Sequence, residues 1–100
     1  MRVFESICEI VFDEESVRPL DLEARLDALA GPMHTGWRTS LIDFFRLLGI
    51  DPSYALRREL AGEFGFARYQ GRRSENILLL KAVMRELAQR GAKVPAGLLD

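Results

Sequence analysis

One cysteine, Cys8, and one histidine, His34, are all that the sequence offers of the two side chains most used to bind metals and activate nucleophiles. A single thiol excludes an internal disulfide and a thiolate metal cluster. A single histidine leaves no second ligand and no orienting partner for a zinc site or a catalytic triad. Long apolar runs are missing as well. The longest, residues 77–80, is four residues, against the roughly 20 that a membrane-spanning helix needs. The first fifteen residues, MRVFESICEIVFDEE, carry glutamates inside their apolar stretch and no small-residue cleavage site. No secretory signal is expected, and a reducing cytoplasm is the default location. No stretch of alternating β-branched residues is long enough to demand a strand. No cofactor, metal or small-molecule substrate is expected from these absences.

What is present is a core without an obvious reaction centre. Hydrophobic residues make up 48% of the 100 and charged residues 29%, with both signs interspersed. That balance fits one globular domain with a radius of gyration of roughly 13 Å. The net charge of −1 hides an asymmetry. Residues 1–31 hold eight carboxylates against three arginines, and residues 32–100 hold eleven Lys/Arg against seven acids. Such a split can steer a charged partner, or simply furnish two solvated faces that neutralise each other in the fold.

The segment from Gly36 to Gly65 is the most regular. Trp37, Leu41, Phe44, Phe45 and Leu48 recur at four- and three-residue steps, one stripe down a helix over 37–48. Gly49 ends it in the left-handed conformation, and Asp51-Pro52 offers the next N-cap and first helical residue. A helix over 52–64 follows, with Leu56, Leu60 and Phe64 inward and Gly65 behind it. Three more helices are expected. The first covers 2–12, with Val3, Phe4, Ile7, Ile10 and Val11 on one side. The second covers 21–29, inward at Leu22, Leu26 and Leu29 and stopped by Gly31-Pro32. The fifth covers 75–90, capped by Ser74, with Ile77, Leu80, Met84, Leu87 and Ala88 inward. Leu98 and Leu99 in the tail should pack back. The expected class is all-α, a compact bundle of about five short helices in a single domain, 1–100. An N-terminal amphipathic helix occupies 1–12 and a helical core 20–100. Helices this short depend on packing for their stability, with Trp37, Phe44 and Phe45 at the centre.

These residues also carry a resemblance. At Trp37-Arg38-Thr39-Ser40, Leu47-Leu48-Gly49, Ala55 and Glu59-Leu60-Ala61 the chain resembles DUF3597, a bacterial family of unknown function. The likeness extends back through Arg25-Leu26-Asp27-Ala28-Leu29-Ala30 and forward through Asn76-Ile77, Val83-Met84 and Lys93-Val94-Pro95-Ala96. It reaches the amphipathic segment from Met1 to Phe12. The chain departs from the family in lacking the Ala/Pro-rich linker that members often carry after that segment. The resemblance implies a small helical domain; it implies no activity and no site residues.

Candidate contact residues come instead from charge. Carboxylates group at Asp13, Glu14 and Glu15, at Asp21, Glu23 and Asp27, and at Glu59 and Glu63 with helical spacing. A hydrolase would need two such groups flanking a cleft, one with a raised pKa; solvated surface or recognition of a basic partner demands less. Arg68, Tyr69, Arg72 and Arg73 form the most basic stretch, in a turn-rich segment between helices. Arginines interleaved with a tyrosine suit a protein contact or a phosphate and stacked base, and equally a solvated loop. Helices three and four resemble a helix-turn-helix in outline, but Arg57 and Arg58 stand beside Glu59 and Glu63. A pI near 5.8 is low for a DNA reader.

The leading expectation is a non-enzymatic protein-binding module that presents a charged surface to a larger macromolecule. An alternative is an inhibitor of the anti-CRISPR type, encoded by a phage or mobile element. Its Asp13, Glu14, Glu15, Glu59 and Glu63 would occupy the basic nucleic-acid surface of an effector complex. A nucleic-acid-binding helical domain is a minor alternative. A hydrolase or transferase using His34 and Thr35 would lack its other catalytic groups.

Overall fold

Ser40 divides what the apolar spacing presents as one helix. In the computed structural model, which describes residues 2–12, 20–33 and 35–99, Thr35–Arg38 forms a single 3-10 turn and helix α3 begins only at Leu41. The Ser40 hydroxyl accepts from the Asp43 amide at 3.2 Å, the N-cap bond that serine makes in preference to continuing a helix. Gly36 lets the turn lie against α3, because a Cβ there would overlap the Asp43 carboxylate. The break therefore corrects the continuous 37–48 helix.

The helices are α1 (Arg2–Val11), α2 (Leu22–Ala30), α3 (Leu41–Leu47), α4 (Tyr54–Glu63) and α5 (Arg73–Gln89). The all-α class stands. Two helix starts differ from expectation. Ser53 rather than Asp51 caps α4, accepting from the Leu56 amide at 3.3 Å, while Asp51 accepts from the Ser53 amide at 3.1 Å. Helix α5 begins ahead of Ser74, because the Glu75 carboxylate reaches back to the Arg72 amide at 3.0 Å. The glycine stops are as expected. Gly49 and Gly65 both take positive φ, 73° and 82°. In each case the following amide bonds back five residues, Ile50 to the Phe45 carbonyl at 2.9 Å and Phe66 to Ala61 at 2.8 Å. That is the Schellman closure.

A short parallel pairing was not expected. Strand β1 (Leu20–Asp21) lies beside β2 (Ala92–Lys93), with Leu20 opposite Ala92. Two residues a side carry no alternation long enough to read. The pairing joins the entry of α2 to the exit of α5, and a 3-10 turn at Ala96–Leu98 then brings Leu98 and Leu99 against the core.

Trp37, Phe44 and Phe45 are fully buried, as expected. The first helix packs on the same cluster: Phe4, Ile7 and Val11 are also fully buried, and the Phe4 ring meets Phe64 edge-on at 5.3 Å. Each such side chain contributes about 1.5–3 kcal/mol, enough to hold a ten-residue helix that would not form alone. Both ends of α1 are satisfied from elsewhere. The Glu63 carboxylate accepts from the Val3 and Phe4 amides at 2.8 and 3.0 Å, and Arg25 donates to the Ile10 carbonyl at 2.9 Å. An anion at the positive end of a helix and a cation at the negative end both favour it. Ile77 is the exception to the expected inward set. It is 36% exposed, and Leu79 and Val83 are the fully buried residues of that stretch. The radius of gyration is 12.6 Å. Among the described residues no helix is long and apolar enough to cross a membrane.

Candidate functional site

The Trp37-Arg38 pair of the WRTS motif holds the fold. The Trp37 indole N–H donates to Asp27 Oδ1 at 3.0 Å. The Arg38 guanidinium lies 4.4 Å over the indole ring and donates to Asp27 at 2.8 Å and Glu23 at 3.0 Å. These bonds clamp the 3-10 turn onto α2. Hydrogen bonds from Arg38 and then Trp37 hold the Asp27 carboxyl below the usual carboxylate range, and Asp27 in turn raises the Arg38 pKa.

Tyr69 is not a free anchor in the basic loop. Its side chain is 6% exposed, and its ring stacks on Tyr54 at 5.8 Å. Its hydroxyl donates to Asn76 Oδ1 and accepts from Arg57 at 3.1 Å, while the Tyr54 hydroxyl donates to the Tyr69 carbonyl at 3.2 Å. Burial pushes its phenol pKa up against the opposing pull of Arg57. The loop backbone is tied as well, with the Gln70 amide donating to Glu75 at 3.1 Å. The Tyr69 ring is thus engaged inside the fold and not displayed on the loop surface. Arg68, Arg72 and Arg73 are exposed, and their side chains make no ion pair among the described residues.

The structure divides the expected acidic set. Glu63 is engaged at the start of α1. Glu59 stays at the surface, 3.9 Å from Arg2. Together with Glu5 and Glu9 it borders an open groove of about 460 Å³ between α1 and α4, whose apolar lining includes Val3, Ile50 and Leu56. Asp13, Glu14, Glu15 and His34 lie outside the described residues. Cys8 is half-buried, and burial raises its thiol pKa, the opposite of what a reactive thiolate requires.

A second groove runs along the first half of α5, and sequence reasoning missed it. It consists of two adjoining depressions of about 270 and 420 Å³ that share Thr39 and Ile77. Leu80, Met84 and Leu98 line one, and Leu41 and Ile42 line the other. Arg38, Arg57, Arg73 and Lys81 stand around them, and among the described residues no carboxylate lines them. Arg73, Ile77, Leu80, Lys81 and Met84 share a side because they repeat at three- and four-residue steps. A signal was present in the sequence. Four consecutive apolar residues at 77–80 sweep most of a helical turn, so they cannot all face inward.

The family model of a domain of unknown function, DUF3597, matches residues 5–95, and the chain belongs to that family. No curated protein and no solved structure matches it.

Proposed function

We propose that this DUF3597 domain is a non-enzymatic protein-binding module of the cytoplasm, presenting a charged and partly apolar surface to a larger macromolecular partner. The observation that supports this most is the pair of exposed apolar residues on α5. Ile77 is 36% and Leu78 57% exposed, beside Arg73 and Lys81, which have no ion pair among the described residues. Apolar anchors ringed by charge are the anatomy of a recognition surface, in which a few anchors supply most of the affinity. Purification of the tagged full chain from its natural host, with and without brief crosslinking, tests the reading. One or a few proteins should co-elute in near-stoichiometric amounts. Recovery of nothing above background would overturn it.

A second reading rests on the groove of opposite sign. Glu5, Glu9 and Glu59 border an apolar floor between α1 and α4, a surface suited to a basic protein face that otherwise holds phosphates. On this reading the domain is an inhibitor of a nucleic-acid-binding effector, of the anti-CRISPR type and carried by a phage or mobile element. Charge reversal at the three glutamates should release such a partner, and excess DNA should compete with the domain for it. A partner indifferent to both excludes this role.

A further inference from the structure

We propose that the α5 groove receives an acidic amphipathic helix from a protein partner, its apolar face on Ile77, Ile42 and Leu98 and its carboxylates on Arg73 and Lys81. This rests on the protein-binding reading and names the chemistry of what is bound. From Arg73 to Met84 the groove wall extends roughly 16 Å at 1.5 Å per residue, the length of about three turns of a bound helix. The charges select the sign. Arg38 is already neutralised by Glu23 and Asp27. Arg57 donates to Tyr69, Asn76 and the Pro52 carbonyl, none of them charged, and it makes no ion pair among the described residues. Arg73 and Lys81 have no ion pair among the described residues. Three positive charges thus face a lining that holds no carboxylate among the described residues. The apolar lining selects the class. Ile42, Ile77 and Leu98 remain partly accessible, and among the described residues no aromatic ring lines the groove for a base to stack on. A nucleic acid would satisfy the cations and leave the apolar surface wet. A helix with leucines on one face and glutamates flanking them satisfies both.

The test is a two-dimensional NMR titration of the isotope-labelled full chain with three probes. One is a synthetic 14-residue helical peptide with a leucine stripe flanked by glutamates. The second carries lysine at every glutamate, and the third is a 20-nucleotide single strand of DNA. The acidic peptide should shift resonances around residues 38–42, 73–81 and 97–98, and bind at least about tenfold more tightly than the lysine peptide. The double variant Arg73→Glu/Lys81→Glu and, separately, Ile77→Ser should each weaken it by about tenfold. Arg73 and Ile77 are exposed and Lys81 is half-buried, and unchanged circular dichroism and melting midpoints would show that the fold is retained. Equal binding of both peptides, shifts elsewhere, variants without effect, or tighter binding of the DNA strand through the same residues would each overturn the proposal. The host purification separates the two levels. A partner retained equally by the double variant leaves the module standing and removes this groove from it. No co-purifying protein removes the module itself.

Discussion

The two grooves are built differently although both combine apolar lining with charge. Between α1 and α4 the charges are tied to the architecture. Glu63 holds the start of α1, Glu59 approaches Arg2, and Val3 in the lining belongs to the core. Along α5, Arg73 and Lys81 make no ion pair among the described residues, and Ile77 is 36% exposed. Charged residues that stabilise a fold are found with partners inside it, whereas the proposed contact charges of α5 are not. Density of charge along a sequence does not separate these cases. The partners of each side chain do.

Substitutions can press on that contrast, beginning where the effect should be greatest. Phe4→Ala, in the helix that walls the first groove, should cost about 3–5 kcal/mol in chemical denaturation. Ile77→Ala in the second should stay within about 0.5 kcal/mol. Comparable losses at both positions would erase the distinction. Next comes Glu63→Ala, expected to cost about 1–2 kcal/mol by leaving two amides of α1 without their carboxylate. Glu59→Ala should change stability by no more than about 0.5 kcal/mol. Loss of helical signal in the Glu63 variant, and not in the Glu59 variant, would place the effect in α1.

The pH response should be smaller. Asp27 has a folded pKa below its unfolded value because Arg38 and Trp37 bond its carboxylate. Its contribution is therefore present above the unfolded value, about 3.9, and is lost as pH falls through the folded one. Melting midpoints followed from neutral pH into that acid range should fall less steeply for Asp27→Asn than for the parent chain. Parallel curves would mean that the clamp exerts no such influence. Smallest of all is the stability change from Arg73→Glu/Lys81→Glu, expected within about 0.5 kcal/mol while peptide binding weakens. A marked drop in the melting midpoint would show that these cations support the fold after all.

The order of helices, the central aromatics and the two glycine closures could be read from the chain because each is set by neighbours within a turn or two. Ser40 shows where that ends. Its cap was written in the sequence, but the apolar stripe across it was stronger evidence for an unbroken helix. Tyr69 shows a different limit. It sits among arginines and glycines in sequence, and only the approach of Tyr54, Arg57 and Asn76 from two helices buries it. The basic groove escaped notice for a related reason. Its walls come from residues 38–42, 57, 71–84 and 97–98, and no local pattern announces that they meet.

The manner in which α1 is held has a consequence in time. Residues 2–11 leave the ribosome before Glu63, which anchors their amides, before Phe64, which meets the Phe4 ring, and before Arg90, whose guanidinium lies 4.9 Å over that ring. At ordinary synthesis rates that interval is roughly 4–16 s. Throughout it a sharply amphipathic segment lacks part of the surface that covers it in the fold. The newborn chain thus offers Phe4, Ile7 and Val11 to any chaperone at the tunnel exit until its last third has been made.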